Sequence, residues 1–214
     1  MGIMEAIKRQ ALATFRNHNG FEENLSVLIS LMNKLTSNDV NLDHRLLNNP
    51  VGNNWAPVTY VGILDNEHFT ISMFVLRQGS KLPLHDHPLM HGVCKVVHGK
   101  VRMRNFSFIG DPLSTLVEGT VMVTRDGDRE VTATDPAVVL SPTRGNIHEI
   151  SALDGPAAFV DVLAPPYKSL IVGYGPRPCH YYLELDSEGE DAQKLIKITD
   201  HPEYWTDIAP YLGP

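Results

Sequence analysis

The stretch "KLPLHDHPLMHGVCKVVHGK", Lys81 to Lys100, holds four of the chain's ten histidines. His85 and His87 stand two apart. On an extended strand residues i and i+2 face the same way, so both rings can enter one interior and chelate a metal. A helix would use i and i+4 for the same purpose. Such a pair also occurs as solvated loop decoration, and alone it does not choose. Downstream, "SPTRGNIHEI" carries a Pro-x-x-Gly-x-x-His arrangement through Pro142, Gly145 and His148, just ahead of an apolar run. Asp161 in "AAFVDVLAPP" is a charge inside an apolar strand pattern. A buried carboxylate needs a partner: either a structural hydrogen bond, or a role orienting a histidine or holding a substrate ammonium. In "CHYYLEL", Cys179 and Tyr181 project to one strand face and His180 to the other, which sets a thiol beside a phenol.

The elements that must position these groups are of two kinds. Residues 4 to 17 form an amphipathic helical segment with Ile7, Ala11 and Phe15 inward, and "FEENLSVLISLMNKL" spaces Leu25, Leu28, Ile29, Met32 and Leu35 helically behind an acidic first turn. After about residue 55 come β-rich runs split by Gly, Pro and Asp-Gly: "FTISMFVLRQGS", "GVCKVVHGKVRMRNF", "EGTVMVTRDGDREVTAT", "AVVLSP", "AAFVDVLAPP" and "CHYYLEL". The "RDGD" between two valine runs reads as a hairpin. Gly99, with His98 before it, reads as a turn, and Cys94 as a small buried hydrophobe. Many strands with no intervening helical pattern predict a mainly β barrel or sandwich. The expectation is one domain over 1–214, with about 1–45 helical and about 55–190 forming the barrel.

At 214 residues a chain can bury roughly 70% of its unfolded surface, so neither disulfide nor metal is needed merely to fold. A formal charge of −7 gives no footprint for nucleic acid. No apolar run reaches the length of a membrane span. The first 20 residues lack a secretory h-region, and Ala6 stands where a myristoylation signal wants Ser or Thr. With only two cysteines, Cys94 and Cys179, a reducing compartment is expected, and the cytoplasm is the expected location.

The two histidine motifs together resemble the paired signatures of the cupin superfamily, a double-sheet β-barrel with a metal inside. Many cupins add a Glu beyond the second His, after three or four intervening residues, where this chain has His91 and Gly92. The resemblance therefore implies a carboxylate-free ligand set of His85, His87 and His148. His91 reads as a supporting or structural residue, while His98 and His180 are expected at the surface; His18, His44, His68 and His201 belong to no constellation.

More closely, "LPLHDHPLMHG", "DVLAPPY" and "CHYYLEL" resemble, in order, blocks of the thiol dioxygenases that include 2-aminoethanethiol (cysteamine) dioxygenase and the plant cysteine oxidases. Leu89 stands where that family usually has Gly, and "KSLIVGYGPRP" differs in detail. The resemblance implies Fe(II) as cofactor and O2 with cysteamine or an N-terminal-Cys protein as substrates; a monomer with no nucleic-acid or membrane partner is expected. It adds Asp161, Tyr167, Cys179 and Tyr181 as catalytic residues, Cys179 and Tyr181 as a pair that can become thioether-linked. The competing readings are another metal-dependent cupin enzyme and a non-catalytic cupin that binds a small ligand.

Overall fold

The structure, a computed structural model, describes residues 2–16, 19–47, 56–185, 192–201 and 203–214. His18 and the expected barrel limits at 55 and 190 lie outside them. Helix α1 (Ile3–Arg16) buries Met4, Ile7, Ala11 and Thr14 on one stripe. Helix α2 (Phe21–Met32) starts from Gly20 at φ 69, carries Glu22 and Glu23 in its first turn and buries Leu28 and Met32. A single turn, α3 (His44–Leu47), follows.

Two 18-residue strands, β4 (His91–Phe108) and β7 (Ile147–Ala164), pair antiparallel along their whole length. Their halves belong to different sheets. Residues 157–163 of β7 pair with β2 (Thr70–Leu76), which pairs with β1 (Val58–Asp65), and residues 92–94 of β4 pair with β6 (Val138–Leu140). The other halves pair with β3 (Lys81–His85) and β5 (Thr120–Thr132). There β10 (Tyr181–Leu185) and β11 (Gln193–Ile198) complete a closed six-strand ring, β7-β3-β10-β11-β5-β4. A last strand, β12 (Thr206–Ile208), runs parallel to β1. The result is the mainly β, double-sheet barrel with a helical prelude that the cupin resemblance implies. The barrel does not end by residue 190, however, because β11 is needed to close the ring; its "QKLIKI" buries only Leu195 fully, too weak an alternation to show in the sequence.

Three apolar layers result. α1 and α2 cover the outer face of the first sheet through Met4, Ile7, Leu28 and Met32 against Ile71, Val93, Val160 and Val162. Leu84, Phe106, Val121, Ile147, Tyr182 and Leu195 fill the ring. Between the sheets lie Leu82, Cys94, Val96, Val101, Met103, Ile150 and Phe159. On β4 the even residues Cys94 and Val96 enter this middle layer, and further along the odd residues Val101 and Met103 do. The face changes because the ladder shifts register at His98 and again before Lys100, with Gly99 at φ 71 and, opposite, Asp154 at φ 57 and Gly155 at φ 147. A bulge reverses which parity faces in. Gly99 is thus a bulge inside a strand, not a turn.

The "RDGD" segment also departs from expectation. Arg125, Gly127 and Asp128 all pair with β4, as do the residues on either side, so β5 runs straight through with Gly127 at φ 112. A hairpin would need the two halves to pair with each other; both find β4 instead.

At Gly99 a Cβ would lie 2.3 Å from the carbonyl oxygen of Pro156. Gly99→Ala should therefore destabilise the protein by at least about 2 kcal/mol in urea unfolding; a wild-type midpoint would contradict this reading of the bulge.

Candidate metal centre

His85 ends β3, His87 sits in the turn that follows, and His148 is the second residue of β7, directly opposite His85 in the ladder. One ligand atom from each lies within 4.8 Å of the others, and the ring centroids are 4.7 to 4.8 Å apart. All three are buried, at 6%, 1% and 2% exposure. His85 Nδ1 hydrogen-bonds the Pro83 carbonyl at 2.7 Å and His87 Nδ1 the Asn146 carbonyl at 2.8 Å. Carbonyls accept only, so these Nδ1 atoms carry the protons and leave Nε2 with its lone pair. His148 Nε2 is buried with no partner among the described residues. Burial, reinforced for His87 and His148 by the neighbouring imidazoles, lowers all three pKa values, that of His87 to about 3. The rings are neutral at pH 7, the form a metal takes.

Two residues that the sequence reading missed hold this geometry. Asn146 accepts the His87 backbone N–H through Oδ1 and donates through Nδ2 to the carbonyls of His87 and Ser141. Asp86, fully buried between the two motif histidines, accepts from the His180 backbone N–H, His180 Nδ1 and the Tyr182 hydroxyl, each at 2.8 Å. A charge flanked by two candidate ligands in an apolar run was the available signal. His180 is therefore not a surface residue: its side chain, 17% exposed, is held by Asp86.

The remaining candidates gather on one side. Tyr167 donates to the Asp86 carbonyl at 2.6 Å, with its ring 5.8 Å from that of His87. The Tyr181 ring lies 6.5 Å from His85, opposite it on the adjoining strand. The Cys179 thiol hydrogen-bonds both phenols. It reaches solvent at the rim, yet crowding by protein and then the Asp86 charge push it up to about 12. Burial raises Tyr181 to about 12 as well and Tyr167 well above its usual value. Between Tyr167 and Cys179 the divergent segment forms a small hairpin, β8 (Leu170–Ile171) and β9 (Gly175–Pro176), tied back by Arg177 to the Pro88 carbonyl. Leu89, in the turn closed by Met90 N–H to His87 O, has φ 57, the left-handed conformation that glycine adopts without strain.

Asp161 is 4% exposed and lies opposite both Cys94 and Ser72. Its partner is the Cys94 thiol, so Cys94 is more than an apolar filler. Burial raises Asp161 to about 7, and the Cys94 bond pulls it back. Cys94 itself is raised by burial and by Asp161, against a downward pull from Arg129. His91 is structural, its ring against Phe21 at 4.8 Å.

Fold and site together define a double-sheet β-barrel protein with a buried, carboxylate-free trio of histidines fitted for a metal ion. The chain belongs to the family described as PCO_ADO, whose model matches residues 31–211. It is 35% identical over 249 residues to 2-aminoethanethiol dioxygenase of Mus musculus, covering 99% of this chain and 95% of that protein. It is 30% identical over 177 residues to plant cysteine oxidase 1 of Arabidopsis thaliana, covering 74% and 58%. Among solved structures, a cupin superfamily protein of Desulfitobacterium hafniense is similar at a TM-score of 0.37 and 11% identity, over 53% of this chain and 83% of that one. No helix among the described residues is long and apolar enough to cross a membrane.

The buried neutral histidines have a stability consequence. Below pH 6.5 an unfolded histidine binds a proton that His87, at about 3, refuses, so metal-free protein loses stability as pH falls from about 6.5. His87→Ala removes that burden. In urea unfolding of chelator-treated proteins, the variant should gain on wild type by about 2 kcal/mol between pH 6.5 and pH 5; a difference independent of pH contradicts the assignment of a neutral His87.

Proposed function

We propose that this chain is an iron-dependent thiol dioxygenase that adds both atoms of O2 to the sulfur of cysteamine or of a protein's N-terminal cysteine, with Fe(II) held by His85, His87 and His148. The observation that carries this is the chelate itself: three buried imidazoles converge, His148 Nε2 has no other partner, and no carboxylate belongs to the cluster among the described residues. Bound there, Fe(II) supplies a full positive charge that draws a thiolate and a redox centre at which O2 reacts. The reaction RSH + O2 → RSO2H balances without an outside reductant. Family membership favours this reading over another cupin enzyme or a non-catalytic binder.

The surrounding side chains then act as follows. Asn146 and Pro83 fix the imidazole tautomers, and Asp86 locks the Cys179–Tyr182 segment beside them. Asp161, raised by burial to about 7 and so part carboxylate at pH 7, is able to take a proton from the incoming substrate. Tyr167, whose hydroxyl hydrogen goes to the Asp86 carbonyl, packs beside His87, and Tyr181 flanks the mouth beside His85. We read the chain as a single domain, cytoplasmic and monomeric.

The test is oxygen uptake by the iron-loaded protein with cysteamine and with a Cys-initiated peptide, followed by product mass. The sulfinic acid should form, N-acetylation of the peptide should slow the reaction strongly, and His148→Ala should lose both iron and turnover. Normal iron content and rate in that variant would sink the proposal.

Cys179 and Tyr181 should become partly crosslinked during aerobic turnover. A bond forms between Sγ and a ring carbon beside the hydroxyl, S–H and C–H break, and O2 takes the two electrons and two protons. Peptide mapping should show loss of two hydrogens in the peptide holding both residues and none in Cys179→Ser; an unmodified peptide after prolonged turnover removes the crosslink and leaves the iron site standing.

A further inference from the structure

Asp161 sits in a frame that is otherwise apolar. Phe159 and Leu163, two residues to either side on β7, share its face, and Val96 stands across from Phe159 on β4. Across from Leu163 is Gly92, where even a Cβ would lie 2.8 Å from the Leu163 side chain and 2.9 Å from that of Leu140. A buried carboxylate in such a frame needs a hydrogen-bond donor. Its direct ladder neighbours, Ser72 on β2 and Cys94 on β4, both carry one.

The two donors are not equally available. The Ser72 hydroxyl gives its hydrogen to the Tyr60 hydroxyl at 2.9 Å. That leaves the Cys94 thiol, 3% exposed, and it is this side chain that hydrogen-bonds Asp161. An ionised carboxylate accepts only, so the thiol donates. Burial and then the Asp161 charge raise Cys94 well above its ordinary value, which keeps the S–H in place at neutral pH. The Asp161 charge is felt in turn at Tyr167, whose ring lies 5.8 Å from that of His87. The carboxylate is thus held from β4 and acts toward the histidine site.

We propose that Cys94 is a positioning residue for sulfur oxidation: its thiol, reaching across from β4, engages one oxygen of Asp161 and leaves the other free to receive the substrate's proton. The proposal rests on the thiol dioxygenase reading and on the part given there to Asp161. Cys94 acts only through that carboxylate.

The contact can be read without iron or turnover. The chain has two cysteines, so in metal-free Cys179→Ser protein Cys94 is the single thiol. At mildly alkaline pH its S–H stretching band in the infrared should lie at the low frequency of a strong hydrogen bond. Asp161→Leu keeps the size and removes the acceptor, and should move that band up to the frequency of a free thiol. In the iron-loaded enzyme, Cys94→Ala should lower kcat/KM for cysteamine and for a Cys-initiated peptide alike by about tenfold, with iron content unchanged. Cys94→Ser restores a donor and should recover most of that loss, whereas Cys94→Val fills the space without a donor and should stay slow. A band that Asp161→Leu leaves in place, wild-type rates in Cys94→Ala, or Cys94→Ser as slow as Cys94→Val would each overturn the proposal. If Cys94→Ala fails to fold, the infrared measurement and the Ser and Val variants still decide. A band that shifts in a protein whose iron-loaded wild type oxidises neither thiol overturns the reading beneath the proposal, and the positioning role with it, while the contact itself stands.

Discussion

Desolvation of three imidazoles in one spot is the constraint on which the rest of this structure depends. Each ring is buried deeply enough to refuse a proton at neutral pH, and among the described residues no acid stands in the cluster to compensate a bound cation. Such a site is unfavourable empty and strongly favourable with a metal, because Nε2 atoms that water cannot reach find in a cation what they otherwise lack. Leaving out a carboxylate leaves the cation's charge intact, and that charge is what turns a weakly acidic thiol into a ligand.

The architecture serves this constraint through the bend shared by β4 and β7. His148 and Asp161 are an odd number of residues apart on one strand, and an unbroken strand would send them to opposite faces. The bulge at Asp154 and Gly155, accommodated by Gly99 across the ladder, returns both to the layer between the sheets. Asp86 does for the other wall what the bulge does for this one. Placed between two ligands, it faces away from them and fastens the Cys179–Tyr182 segment, so that the residues forming the rim cannot drift from the residues forming the floor.

How much of this could be read from the sequence follows from the range of each signal. The spacing of His85 and His87 is local, and strand geometry is enough to pair them. His148 is remote in sequence; only its resemblance to a second motif ties it to the first. The helical stripe of Ile7 and Ala11 and the β-rich character beyond residue 55 are periodic and were legible. The continuity of β4 and β7 was not, since glycines that look like turns are bulges when a partner strand continues past them. Gly127 misled in the same way. Asp86, Asn146 and the Asp161–Cys94 pair depend on what lies opposite after folding, and no periodicity encodes that. Leu89 holds the left-handed φ of 57 at the position where the resemblance implies Gly.

The proposed iron centre should carry out a four-electron oxidation of sulfur with every electron going to a single O2. Turnover under oxygen-18 gas in ordinary water, with no reductant added, tests this most directly. The account predicts that the sulfinate carries two oxygen-18 atoms from the same O2 molecule. A product with one label and one solvent oxygen, or a requirement for added reductant, would contradict it.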